Sequence, residues 1–149
     1  SLINTMLGMR IDLNRRRPLR QPEKVVAIST GHQIPHLEIE SILNEKEFAM
    51  VPQGGRHFDA TFDNIDFNGH VTQASYMRWL TNSLPFDFLK TYVLTDVEVI
   101  YAHEIMPDSS IYSSYQIVEE NGQIVVFHQV QDEAGTLTHC IAKSVWEKK

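Results

Sequence analysis

The chain has 149 residues and a single cysteine, Cys140. One thiol allows no internal disulfide and no cysteine-based zinc site. It fits a reducing compartment and leaves burial to stabilise the fold. No stretch approaches the roughly 20 apolar residues of a membrane span, and residues 1–9 lack the charged and apolar blocks of a secretory signal. The expectation is a cytoplasmic protein with no membrane partner. Basic residues are also short, 13 against 19 acidic ones for a net charge of −6. That balance argues against sequence-independent nucleic-acid binding, which needs a basic surface to displace counterions. At 42% hydrophobic and 21% charged the chain can build an ordinary core, which excludes disordered and fibrous classes.

Residues 1–55 and 56–149 read differently. Ser1 to Leu13 is apolar and β-branched, a strand pattern that runs into Arg15, Arg16, Arg17, Pro18 and Arg20, a solvated turn. Pro22 with Glu23 suits a first helical turn, and from Gly31 to Gly55 two prolines, Pro35 and Pro52, and the lack of any period predict a long connection. Arg56 to Phe62 alternates, with Phe58, Ala60 and Phe62 on one side, as in a half-buried strand. The period then becomes helical from Val71 to Leu84: Tyr76, Met77, Leu80 and Leu84 share an arc with Trp79 at its flank, and Ser75, Arg78, Thr81 and Asn82 face the other way. Pro85 ends this helix or begins a short second turn through Phe86, Phe88 and Leu89.

Strand patterns follow at Asp96 to Ile105, Ser109 to Glu119, Gln123 to Gln131 and Thr136 to Trp146. Asn121-Gly122 is a strong hairpin signal, because both residues tolerate positive φ, and Ala134-Gly135 serves the next turn. Strand, helix and four strands read as an antiparallel meander with one amphipathic helix covering a sheet face, an α+β domain. That order predicts a hotdog fold, a curved antiparallel sheet wrapped around a central helix.

The densest polar cluster, Asp63, Asn64, Asp66, Asn68 and His70, falls between the first of these strands and the helix. N–H groups of a first helical turn lack intrahelical partners and can hold an oxygen gaining negative charge, while carboxylate and imidazole together supply a general base. The plainer alternative is helix capping by Asp66 or Asn68 with a turn at Asn68-Gly69. One capping residue suffices for that, and five polar side chains in eight positions exceed it.

IDFNGHVTQASYMRWL, residues 65–80, resembles the motif of acyl-acyl-carrier-protein (acyl-ACP) thioesterases, an Asp-x-Asn-x-His string followed by a helix of the Tyr-x-x-Trp type. VEVIYAHEIMPDSS, residues 97–110, is similar to the strand that carries that family's catalytic glutamate. IDLNRRRPLRQP, residues 11–22, looks like the arginine-proline link that leaves the family's N-terminal hotdog. The resemblance implies a catalytic set of Asp66, Asn68, His70 and Glu104, and a substrate-binding set of Gly69, Val71, Tyr76 and Trp79. It implies hydrolysis of fatty acyl-ACP without metal or organic cofactor. Glu104 helped by His70 would activate water, Asn68 would hold the carbonyl or the water, and Asp66 would orient its neighbours or be the base itself.

Two departures accompany the resemblance. Many plant members have a cysteine directly after the glutamate, where this chain has Ile105, which removes a thiol nucleophile there; Cys140, in an alternating strand, reads as a small buried residue. The family also has two hotdogs per chain, and here only the second is complete, with residues 1–55 a strand and linker left from a preceding one. Ser1 in place of an initiating methionine fits a piece of a longer chain. A homodimer or a tandem pseudo-dimer is expected, since hotdog sheets pair by their edges.

Two other readings stay open: an acyl-CoA thioesterase of the 4-hydroxybenzoyl-CoA type, and a non-catalytic acyl-binding or dimerisation module. Arg15, Arg16, Arg17, Arg20, Arg56 and Arg78 suit an acidic carrier protein or the phosphate of its pantetheine arm. His32 and His36 have the spacing of a helical metal pair, but Pro35 between them breaks that helix. His57, His103, His128 and His139 read as ordinary strand histidines.

Overall fold

A computed structural model of the chain describes residues 11, 12, 17, 18, 43 and 48–149. The chain divides into two units, Ser1–Glu40 and Ser41–Lys149. In the first, β1 (Ile11–Asp12) pairs antiparallel with β2 (Arg17–Pro18). The expected helix at Pro22 and the histidines His32 and His36 lie outside the described residues, as do most residues of the long connection.

The second unit contains β3 (Gly54–Asp59), a 3-10 turn (Phe62–Asn64), α1 (Gln73–Asn82), α2 (Phe86–Thr91), β4 (Tyr92–Tyr101), β5 (Ser110–Glu120), β6 (Gln123–Asp132) and β7 (Thr138–Lys148). Its five strands form one antiparallel sheet in the order β3-β5-β6-β7-β4. With α1 packed on one face this is the hotdog arrangement. The expected four-strand meander is corrected: only β5, β6 and β7 are consecutive neighbours, and β4 pairs with β7 rather than with β5. The turn at Asn121-Gly122 has positive φ at both residues, 52° and 79°, as a hairpin whose twist matches its strands requires.

The α1 stripe buries Tyr76, Trp79 and Leu80, which meet Ala60, Val71, Ile105, Ile111, Val130, Cys140 and Ala142. Leu84 continues the line into a second cluster with Val126 and Trp146, where Phe88, Leu89 and Tyr92 also pack. Two expectations fail for local reasons. Phe62 leaves the strand pattern because the chain turns into the 3-10 segment at that point, and it is 94% exposed. Ser75, on the polar side of the helical period, is fully buried because it ties α1 to the preceding loop. Phe86 is 72% exposed at the start of α2, with the Lys90 ammonium over its ring. No helix among the described residues is long and apolar enough to cross a membrane.

The sheet face under α1 contains one costly group. His128 is 2% exposed, and its Nε2 lies 2.8 Å from Ser144 Oγ, which also accepts from Trp146 Nε1 at 2.8 Å and reaches Val126 O at 3.3 Å. A hydroxyl that accepts from the indole and donates to the Val126 carbonyl has one lone pair left, so His128 is assigned as the Nε2–H tautomer. Its Nδ1 is buried without a partner. Protonation there would place an unpaired charge in the core, and burial accordingly pushes the imidazole pKa down to about 4 from 6.5. In the unfolded chain the ring takes a proton below about 6.5, so the unfolded state binds more protons between that pH and about 4. Stability should therefore be full above pH 6.5 and fall by about 3 kcal/mol as pH drops through this window. Urea unfolding of the parent and His128→Gln at a series of pH values measures the difference; parallel pH profiles for the two proteins would contradict it.

Candidate active site

The polar cluster occupies the segment between β3 and α1, and Asn64 fastens that segment at both ends. Its side-chain oxygen accepts the Thr61 N–H at 2.9 Å, and its side-chain nitrogen donates to Ser75 Oγ at 3.2 Å. The Thr72 N–H reaches the Asn64 carbonyl at 2.9 Å, and Thr72 Oγ1, at the N-cap of α1, accepts the Ser75 N–H. Asn64 is 7% exposed, so each of these bonds fills a polar need that water does not meet. Between the two ends, Ile65 and Val71 form an antiparallel bridge.

The tip of the loop, residues 66–70, is organised by Asp66. Its carboxylate oxygen Oδ1 accepts the N–H groups of Asn68 at 2.8 Å and His70 at 3.1 Å. Its own N–H donates to the His70 carbonyl at 2.8 Å, and its carbonyl accepts the Gly69 N–H at 3.0 Å. Gly69 closes the turn at φ +78°, a conformation costly for any side chain. The backbone bond from His70, with help from the Asn68 bond and against the opposing effect of burial, holds the Asp66 carboxyl below its ordinary range. This carboxylate is thus an anchor with its acceptor capacity turned on its own loop.

Glu104 arrives from the other side. It was expected on a strand ending at Ile105, but β4 ends at Tyr101 and Glu104 lies in the connection to β5. That connection is tied to the first loop, since Asp108 N–H donates to the Ala60 carbonyl and Ala60 N–H to the Ser109 carbonyl, both at 2.9 Å. The two segments meet where His70 Nε2 lies 3.1 Å from Glu104 Oε1, with side chains 48% and 34% exposed. A carboxylate only accepts, so Nε2 carries the proton in this contact. Next to it in the chain Ile105 is fully buried, and on the same two connecting segments Phe62, Phe67 and Met106 are exposed, Phe67 to 98%.

The structure therefore brings His70 and Glu104 together, with Asn68 and Asp66 on the same loop; the Asn68 amide turns toward the Asp66 carboxylate. Gly69 sits at the turn, whereas Val71, Tyr76 and Trp79 are packed in the core behind it. Tyr76 stacks edge-on against Tyr101 at 5.1 Å and Trp79 at 5.6 Å, and burial pushes its phenol up to about 12. The helix opens at Gln73 rather than at Val71, so the N–H groups without intrahelical acceptors belong to Gln73 and Ala74. Those of Asn68, Gly69 and His70 are already taken by Asp66. Cys140 is fully buried and its thiol is pushed up to about 12, so it supplies no thiolate at neutral pH. Arg56 and Arg78 are exposed, Arg78 donating to Ser75 Oγ. The side chains of Arg15, Arg16, Arg17 and Arg20 lie outside the described residues. The role of Asn64 was not singled out from the sequence, although Thr61 three residues before it is a capping-type signal.

Three solved structures illustrate the fold. The first is a Lactobacillus plantarum protein described as an oleoyl thioesterase, with TM-score 0.73, 23% identity, and 93% of this chain matched to 54% of that one. The 12:0-ACP thioesterase of Umbellularia californica has TM-score 0.73 and 19% identity, over 93% of this chain and 52% of that one. An acyl-ACP thioesterase of Bacteroides thetaiotaomicron has TM-score 0.67 and 23% identity, over 92% and 53%. The chain spans about half the length of each. A comparison with curated proteins gave no match. Residues 53–148 match the family described as the acyl-ACP thioesterase C-terminal domain, a span that takes in the whole five-stranded sheet and both loops of the site. With more than half of its length matched in this way, the chain belongs to the acyl-ACP thioesterase C-terminal domain family.

Proposed function

We propose that this chain hydrolyses the thioester of fatty acyl-ACP, releasing free fatty acid for lipid synthesis in the cytoplasm. The observation that carries this reading is the 3.1 Å contact of His70 Nε2 with Glu104 Oε1, made between the two segments that bear the family motifs. On this reading Glu104 takes a proton from water while the His70 N–H holds its carboxylate in place, and the resulting hydroxide adds to the thioester carbon. The Asn68 amide and the N–H groups of Gln73 and Ala74 stabilise the oxyanion. Collapse of the tetrahedral intermediate breaks the carbon–sulfur bond, and the proton held by Glu104 goes to the departing thiolate. Water is the nucleophile, so this route calls for no cofactor.

Asp66 acts here as the anchor of the loop rather than as the base, because its Oδ1 already accepts two backbone N–H groups. Residues 1–55 are read as a strand and linker left from a preceding hotdog. The exposed apolar side chains of Phe62, Phe67 and Met106, all on the segments that carry the site, support a site completed by a second hotdog, either from the rest of a longer chain or from another copy.

Two predictions follow from the division of labour between the carboxylates. With acyl-ACP and acyl-CoA substrates from C8 to C18, hydrolysis should be faster from the carrier protein, and Glu104→Gln should lower kcat by roughly two to four orders of magnitude at unchanged stability. Preference for CoA would favour the 4-hydroxybenzoyl-CoA type, and tight carrier binding without turnover would favour a binding module. In the same assay Asp66→Asn, whose amide oxygen still accepts both N–H groups, should keep much more activity than Asp66→Ala. If Asp66→Asn were as inactive as Glu104→Gln, Asp66 would be the base.

A further inference from the structure

The backbone that carries Glu104 is held by a pair of histidines outside the catalytic set that the resemblance implies. At the end of β4 the regular ladder with β7 stops at Tyr101↔Cys140. The next two N–H groups, of Ala102 and His103, both reach the one carbonyl of His139, at 2.9 Å and 3.2 Å. Two residues thus oppose one, the arrangement of a bulge, which turns a strand out of its ladder and re-aims the side chains that follow. The turn is fixed from both sides. His103 Nδ1 lies 2.8 Å from the Thr138 carbonyl, and His139 Nδ1 lies 3.3 Å from the His103 carbonyl.

Each ring is bonded to the backbone of the other's strand. A carbonyl oxygen only accepts, so both imidazoles must carry a proton on Nδ1. Protonation at Nε2 leaves those donors in place, so the clamp works with either ring neutral or charged. His139 is 6% exposed, and the bond it makes satisfies a buried donor; His103 is exposed, so its bond works by fixing geometry rather than by adding much stability. One residue further along, Glu104 lies between this clamp and Ile105, whose fully buried side chain anchors the chain on its other side.

We propose that His103 and His139 are positioning residues for Glu104: their reciprocal Nδ1–H bonds to the opposing strands fix the bulge that aims its carboxylate at His70. The catalytic part of this inference rests on the thioesterase reading, and the geometric part does not. A displacement of the order of an ångström in a reacting group costs one to two orders of magnitude in rate, so loss of the clamp should appear in kcat rather than in KM.

The test uses the fact that asparagine places an N–H where histidine has Nδ1, whereas glutamine places one where it has Nε2. The imidazole 15N shifts of His70, His103 and His139 would be recorded in the full chain and in the His103→Asn, His103→Gln and Glu104→Gln variants, with acyl-ACP hydrolysis and thermal unfolding measured alongside. In the parent, His103 and His139 should both show the Nδ1–H pattern. His103→Gln should displace the His70 shifts as Glu104→Gln does and lower kcat about tenfold at nearly constant KM. His103→Asn should leave the His70 shifts and most of kcat in place. An Nε2–H pattern for His103 in the parent, or equal behaviour of the asparagine and glutamine variants, would overturn the proposal. Absence of turnover in the parent would refute the thioesterase reading alone, since the 15N shifts would still decide the clamp.

Discussion

The constraint on which this molecule turns is the strand order. Because β4 pairs with β7 at one edge while β5 lies next to β3 near the other, the chain from Tyr101 to Ser110 must cross the ends of the intervening strands. Three strand spacings are about 14 Å, well within reach of this segment, so its course is set by the hydrogen bonds it makes rather than by its length. It ends at β3, where Ala60 exchanges hydrogen bonds with Asp108 and Ser109. The loop leaving β3 is the one that carries Asp66, Asn68 and His70, and the crossing therefore carries Glu104 to it. A simple meander would have joined β4 to β5 by a hairpin and left Glu104 and His70 without a reason to meet.

Around that crossing the polar side chains divide into those that hold the backbone and those that face outward. Asn64 and Asp66 spend their hydrogen-bonding capacity on the loop, one at its base and one at its tip. His70 and Glu104 remain half-exposed and in contact, which is the condition for acting on a substrate rather than on the fold. Tyr76 and Trp79 belong to the core that backs the site, and Ile105, next to Glu104, fills that core.

Much of this was legible in the sequence, and the parts that were not have a common cause. The helical stripe of Tyr76, Leu80 and Leu84, the Asn121-Gly122 turn and the Asp-x-Asn-x-His string are local patterns, and each is found where it was expected. The pairing of β4 with β7 is a contact between residues distant in sequence, which periodicity does not encode, and with it went the placement of Glu104 in a crossing rather than on a strand. Ser75 reads as polar and therefore exposed; it is buried because Asn64, on the preceding loop and outside the helical period, gives it a partner. His103 and His139 carried no signal, since a histidine on a strand is uninformative until its neighbour across the sheet is known.

The central claim is that His70 and Glu104 act as one unit across the two loops. A double-mutant cycle on kcat/KM for acyl-ACP hydrolysis, using His70→Ala, Glu104→Gln and the double variant, tests it most directly. The account predicts strong non-additivity, the double variant being little worse than the more damaged single one. Losses that multiply across the two sites would mean that His70 and Glu104 work independently, and would contradict the account.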